Sequence, residues 1–333
     1  MLPNCSALTS LDLRCNYAGP EGSWALARCL PHTPALRTLS LVDNVLCGRY
    51  LADKEHAFDP GSSDAVPPDC SGLVALLRSS TRLSHLDLSF NFLGDEGAVA
   101  LADVFATSHD AFTALSLSLG FNKLTAHGIG RLCAALRRPI GAGLALRALC
   151  LRNNTLRAAG AATLALSLEL TDGHGMAVAE LSLMNNHLGP EGGHSVAAAA
   201  RRNPWLVSLD LTGNLLGPTG VTALVDALYG RAPDAHVPCL EVLVLHRNNT
   251  GDAGAAAVAK ALRSQTSSQL RRLHLSNSHI HSAGAAALAA ACAVNASLEH
   301  VNLQRNRFTG DDELLLKAAF TPPRTMLLGP GPI

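Results

Sequence analysis

One spacing pattern returns ten times between Leu8 and Phe308 and dictates how the chain can fold. Its template is Leu-x-x-Leu-x-Leu-x-x-Asn-x-Leu, followed by a glycine and a run rich in alanine and leucine. The first three copies are Leu8-Leu11-Leu13-Asn16-Ala18, Leu36-Leu39-Leu41-Asn44-Leu46 and Leu83-Leu86-Leu88-Asn91-Leu93. The fourth is read as Phe112-Leu115-Leu117-Asn122-Leu124, the fifth as Leu146-Leu149-Leu151-Asn154-Leu156 and the sixth as Val178-Leu181-Leu183-Asn186-Leu188. The series closes with Leu206-Leu209-Leu211-Asn214-Leu216, Leu240-Leu243-Leu245-Asn248-Thr250, Leu270-Leu273-Leu275-Ser278-Ile280 and Leu298-Val301-Leu303-Asn306-Phe308. Leu-x-Leu alternation makes a short strand with its leucines on one face. The asparagine carries both a donor and an acceptor, so it can satisfy backbone groups where the strand turns away, copy stacked on copy. Gly22, Gly97, Gly128, Gly160, Gly192, Gly220, Gly254 and Gly284 each fall four residues after the last template position. They precede helical runs such as 255–262 and 285–292 and permit close approach of the neighbouring copy.

The spacing between successive ladder residues runs 28, 47, 31, 32, 32, 28, 34, 30 and 28. A base period of 28 with loop insertions resembles the ribonuclease-inhibitor type of leucine-rich repeat, a class also found in the sensor arms of NOD-like receptors and in Ran GTPase-activating proteins. The resemblance implies an α/β leucine-rich-repeat solenoid, a horseshoe of about ten strand–helix repeats over residues 1–320, with a parallel concave sheet and convex helices. It implies little about activity, because function lies in surfaces grafted on the fold. Residues 321–333 read as a C-terminal tail, loose over its Pro- and Gly-rich end.

Departures from the template are informative. Residues 47–71 form an irregular insertion rich in Pro, Gly and Ser, bracketed by Cys47 and Cys70. Those two cysteines would suit a clasp in an oxidising compartment, but nine cysteines with no Cys-x-x-Cys pair read instead as buried thiols kept reduced. In the fourth copy two extra residues separate Leu117 from Asn122, which predicts a bulge between strand and loop and places Phe121 at the rim of the concave face. Ser278 replaces the ladder asparagine and predicts a weakened layer; His279 and His281 beside it lack the carboxylate or cysteine spacing of a metal site. The first strand lies close to Met1, so the N-terminal edge reads as covered by a partner or by sequence not included here.

Composition narrows the function classes. Twenty-six basic residues balance 26 acidic ones, which argues against nucleic acid, since such partners require a basic excess. No apolar run suits a membrane span, and no secretory signal is read at the N-terminus. No phosphate loop, His-Glu-x-x-His or nucleophile elbow is present, and Gly141-Ala142-Gly143 lacks the strand–helix context of a nucleotide fingerprint. The expectation is a non-enzymatic, cofactor-free and metal-free protein-interaction module, such as a scaffold subunit of a cytoplasmic, cytoskeletal or ciliary assembly. A GTPase regulator and a NOD-like-receptor sensor fragment are the alternatives that the resemblance allows. Strand alternation sends His246, Arg272, His274, His300 and Gln304 to the concave face, with Arg247, Arg305 and Arg307 on its rim. This late stretch reads as basic and His-rich and is the candidate partner-binding surface, suited to an acidic protein.

Overall fold

The structure, a computed structural model, describes residues 5–47, 69–79, 82–107, 115–139, 146–169, 171, 173–230, 239–264, 269–320 and 323–329. Most of the 47–71 insertion, Phe112, residues 141–143 and the last four residues lie outside that set. The chain divides into two compact units, residues 1–137 with 143–154, and residues 138–142 with 155–333.

From the N-terminus the elements are β1 (Ser10–Asp12), α1 (Gly19–Cys29), β2 (Thr38–Ser40), α2 (Ser71–Ser79), β3 (His85–Asp87), α3 (Gly94–Thr107), β4 (Leu115–Ser118), α4 (Ala126–Ala135), β5 (Arg137–Pro139) and β6 (Leu146–Cys150). There follow α5 (Arg157–Leu168), β7 (His174–Met176), β8 (Val178–Ser182), α6 (Gly189–Arg202), β9 (Ser208–Asp210), α7 (Gly217–Tyr229), β10 (Val242–Val244), α8 (Gly251–Leu262), β11 (Arg272–His274), α9 (Ser282–Val294), β12 (His300–Asn302), α10 (Gly310–Ala319) and β13 (Thr325–Leu327). In the first unit β1, β2, β3, β4 and β6 pair in that order, all parallel. In the second, β8 through β13 do the same. Parallel neighbours need a crossover, and each repeat supplies one as a helix. The helices pack successively as well, α1 on α2 and α3 on α4 in one unit, and α5 through α10 in the other.

The alternation works as a leucine comb. Leu86, Leu117 and Leu149 are paired across β3, β4 and β6 and buried, as are Leu209, Leu243, Leu273 and Val301 across β9 to β12. Each such side chain contributes roughly 1.5–3 kcal/mol, so stability is distributed along the array. The helices open about three residues before their alanine runs, which draws the recurrent glycine into the first turn. There it faces the preceding layer: a Cβ on Gly220 would lie 2.8 Å from Pro190 Cα, and one on Gly128 would lie 2.8 Å from Asp95 Cα.

Two readings of the sequence are corrected. In the fourth repeat, Leu117 pairs with Leu86 and Ser118 with Asp87, so the template there is Leu117-Leu119-Asn122 and Leu119 is buried. Leu115-Ser116-Leu117-Ser118-Leu119 alternates throughout, and a shift by two leaves every side chain on its face. No extra residues separate strand from asparagine; the irregularity lies at the other end, where the register with β6 slips between Leu115 and Ser116. The second correction concerns the tail. Residues 325–327 add to β12 as β13. Arg324 holds them in place, donating to the carbonyls of Cys292 (3.2 Å) and Asn295 (2.8 Å) and lying over the Phe320 ring.

The asparagines form hydrogen-bonded ladders inside each unit. The backbone N–H of Asn44, Asn91 and Asn122 donates to Oδ1 of Asn91, Asn122 and Asn154 in turn, at 2.9–3.0 Å. Asn186 donates likewise to Asn214, Asn214 to Asn248 and Ser278 to Asn306. In return Nδ2 reaches back to the strand-end carbonyl of the preceding repeat in the same unit, as that of Asn214 does to Leu183 and that of Asn248 to Leu211. Ser278 instead donates within its own repeat, to the Ser276 carbonyl. Asn16 opens the series in an exposed position and bonds only locally, to the Leu13 and Arg14 carbonyls.

The residues that flank the ladder positions adopt left-handed backbone. Examples are Phe90 and Phe92 (φ 60 and 52), Asn185 and His187 (φ 53 and 55), Gly213 and Leu215 (φ 65 and 59), and Asn277 and His279 (φ 50 and 55). This conformation turns the chain sharply off the strand and tips the asparagine inward. It costs an ordinary L-residue roughly 1–2 kcal/mol, and Gly or Asn less.

Candidate functional site

Pairing of β9 to β13 lays the outward residues of the second unit in rows. One row holds Ser208, Val242, Arg272, His300 and Thr325, and the next Asp210, Val244, His274, Asn302 and Leu327. Alternation continues into His246, Ser276 and Gln304, just before the left-handed turns. The turns themselves expose Arg247 and Arg305 (φ 54 and 56), with Arg307 exposed beyond. The eight residues singled out from the sequence thus lie on one unit, on adjacent strands and the rim that follows them.

Their chemistry differs from the basic, His-rich reading. His246 is half-buried, and its Nδ1 accepts from the Ser276 backbone N–H at 3.1 Å and lies 2.6 Å from Ser276 Oγ. An Nδ1 that accepts a backbone hydrogen bond carries no proton, so this imidazole is neutral. Burial, aided by the neighbouring His274, pushes its pKa down to about 4. The two rings meet edge to face at 5.1 Å. Burial and then the Arg272 charge lower His274 as well, while Asp210 opposes both shifts. The positive character of the face at neutral pH therefore rests on arginine. Arg272 is exposed on the strand, whereas the adjacent Arg271 is neutralised by Glu299 at 2.7 Å.

Sequence reasoning placed Phe121 at the rim but missed the cluster to which it belongs. In the first unit Phe90 and Phe121 stack face to face, 3.9 Å between centroids and 13° between planes. Arg152 lies over Phe121, and Lys123 over Phe92. The signal was present as aromatic residues just before Asn91 and Asn122, but the register read for the fourth repeat hid that Phe90 and Phe121 hold the same position in adjacent layers.

A family description, "Leucine Rich repeat", matches residues 79–102, 202–225 and 266–289. These matches fall on three of the layers described above, each joining a helix to a strand. The chain carries leucine-rich repeats. Its array is 29% identical over 293 residues to human "NACHT, LRR and PYD domains-containing protein 5", covering 78% of this chain but only 23% of that protein. Among solved structures it resembles the leucine-rich repeat-containing protein LegL7 of Legionella pneumophila, with a TM-score of 0.52 at 18% identity, covering 96% of this chain and 93% of that one. At that identity the likeness bears on fold alone. No helix among the described residues is long and apolar enough to cross a membrane. Nor do His, Cys, Asp or Glu side chains among them gather in threes as a metal ion requires.

Proposed function

We propose that this leucine-rich-repeat protein is a non-enzymatic interaction module that grips an acidic surface of a partner protein through the late strands of its second unit. The observation that carries the reading is the grouping of Arg272 with the rim residues Arg247, Arg305 and Arg307, all exposed, beside neutral His246 and His274. Polar His274, His300, Asn302 and Gln304 would supply orientation, and the arginines bidentate contacts to carboxylates. The period of 28 with a full helix in most layers supports assignment to the ribonuclease-inhibitor type. We place the module in the cytoplasm, as a scaffold subunit of an intracellular or cytoskeletal assembly. The N-terminal edge is a further contact surface: Leu11 and Leu13 are half-exposed, where Leu39 and Leu41 of the next repeat are buried.

The test is affinity capture from native lysate with the wild type and a variant carrying Arg247→Glu, Arg272→Glu and Arg305→Glu, both checked for fold by circular dichroism. Charge reversal should abolish capture of the specific partner, and unchanged capture would refute the reading. A second reading rests on the similarity to the human NACHT, LRR and PYD protein: the chain would be the repeat arm of a larger receptor. A longer transcript encoding a phosphate-binding loop upstream of Met1 would establish that, and a transcript beginning at Met1 would oppose it.

A further inference from the structure

The aromatic cluster of the first unit is not required by the fold. Phe90 and Phe121 immediately precede the ladder residues Asn91 and Asn122, at φ 60 and 57. The same position is held by Asn153, Asn185, Gly213 or Asn277 in four other repeats, residues that tolerate left-handed backbone, and by polar or small Cys15, Asp43, Arg247 and Arg305 in the rest; only these two repeats place an aromatic ring there. A phenylalanine there strains the chain and leaves apolar surface in water. Phe90 and Phe92 are 38% and 41% exposed. Both costs fall in consecutive repeats and produce a single stacked pair.

The surroundings are cationic and arranged. Arg152 Cζ is 5.7 Å from the Phe121 centroid, and Lys123 Nζ is 5.0 Å from that of Phe92. Gly120 lets Arg152 lie across the layer, since a Cβ at Gly120 would come 2.8 Å from Arg152 Cγ. The carboxylates nearest in the chain, Asp87 and Asp95, are turned to the backbone N–H groups of Ser89 and Thr125. An apolar platform flanked by cations suits a ligand that joins a large apolar side chain to a carboxylate.

We propose that the Phe90–Phe121 stack, with Phe92, Lys123 and Arg152, is a docking site for an extended peptide segment of a partner protein bearing an aromatic or aliphatic anchor beside Asp or Glu. This rests on the reading of the protein as an interaction module, but not on its arginine face. Single-stranded RNA, whose bases stack on aromatics, fits less well. The two rings are already closed on each other at 3.9 Å, and the chain has no net positive charge.

The full chain is tested by fluorescence anisotropy against synthetic peptides with Trp, Phe or Leu flanked by Glu. Controls carry Lys for Glu or Ala for the anchor, and one further arm uses a single-stranded RNA oligonucleotide. Glu-flanked peptides should bind about tenfold or more tighter than the controls, a margin of one anchor contact. F90N with F121N should lose that binding by a similar factor and keep or raise its thermal midpoint, because asparagine relieves the left-handed strain at both sites. Equal binding of Lys-flanked peptides, unchanged binding by the asparagine variant, or preference for RNA would overturn the proposal. The R247E/R272E/R305E variant should bind the peptides as wild type does. Loss there would place the site on the other unit and so refute this inference while leaving the arginine reading intact.

Discussion

Replacing Asn214 by serine should convert a strong ladder layer into one resembling that of Ser278. The Asn214 side chain is fully buried. Its Oδ1 accepts from the backbone N–H of Asn186 at 2.9 Å and of Leu188 at 3.4 Å. Its Nδ2 donates to the carbonyls of Leu183 and Leu211, both at 2.9 Å. A serine hydroxyl can replace the contact within its own repeat, as Ser278 does with Ser276 at 3.1 Å. It cannot span to the preceding layer. Two N–H groups then lose their partner, while the Leu183 carbonyl keeps the Asn186 Nδ2 at 3.0 Å, and each buried group left unpaired costs about 1–3 kcal/mol. Local relaxation recovers part of this, so Asn214→Ser should cost about 2–4 kcal/mol by the same reckoning. The mirror substitution, Ser278→Asn, should gain about 1–2 kcal/mol as an added pair of net-favourable bonds. Urea unfolding of both variants and the wild type reads the magnitudes, and hydrogen exchange at Asn186 and Leu188 reads the location. A loss under about 1 kcal/mol for Asn214→Ser, with those two amides as protected as before, would refute the ladder as a source of stability.

Other perturbations probe separate terms. Leu215 is 65% exposed at φ 59, and Leu215→Asn should raise the unfolding midpoint by relieving about 0.5–1 kcal/mol of backbone strain. Gly220→Ala should lower it by about 1–3 kcal/mol, because the new Cβ meets Pro190 Cα at 2.8 Å and forces α6 and α7 apart. His246 has a folded pKa of about 4, below its unfolded value, so its contribution is complete above about pH 6.5 and is lost as pH falls toward 4. His246→Asn should flatten acid unfolding monitored across that window. Burial raises the thiols of Cys133 and Cys292 to about 12 and about 11, so their contribution holds below about pH 8.5 and fades as pH climbs through those values. Iodoacetamide at pH 8 should accordingly label exposed Cys15 and Cys239 quickly and buried Cys133 and Cys292 only on unfolding, as read by peptide mass spectrometry.

The repeat architecture is legible in the sequence because its determinants are local: a leucine comb and one amide at fixed spacing. Where the same local signal is degenerate, it fails. The alternating segment 115–119 fits two registers equally, and only pairing with Leu86 chooses between them. The strand at 325–327 has no ladder residue, and the Arg324 contacts that fix it are made with the end of α9, 29 and 32 residues back in the chain. Left-handed backbone was invisible at Phe90, Leu215 or Arg247, since side-chain identity gives no warning of it. The neutrality of His246 depends on a hydrogen bond from a residue 30 positions away, which no charge count can register.

The ladder also has a direction. Inside each unit the bonds between layers run one way, with an asparagine side chain serving the backbone of the repeat before it, as Asn214 and Asn248 do. A growing polypeptide therefore presents, at its leading edge, amides that wait for a side chain not yet synthesised. Removing repeats from the C-terminal side strands the main-chain donors of the ladder in the layer left behind, whereas removal from the N-terminal side leaves the ladder with a side-chain amide for water to solvate; the sheet-edge groups are exposed in either case. Assembly by this rule favours growth in the order of translation, and fraying from the far end.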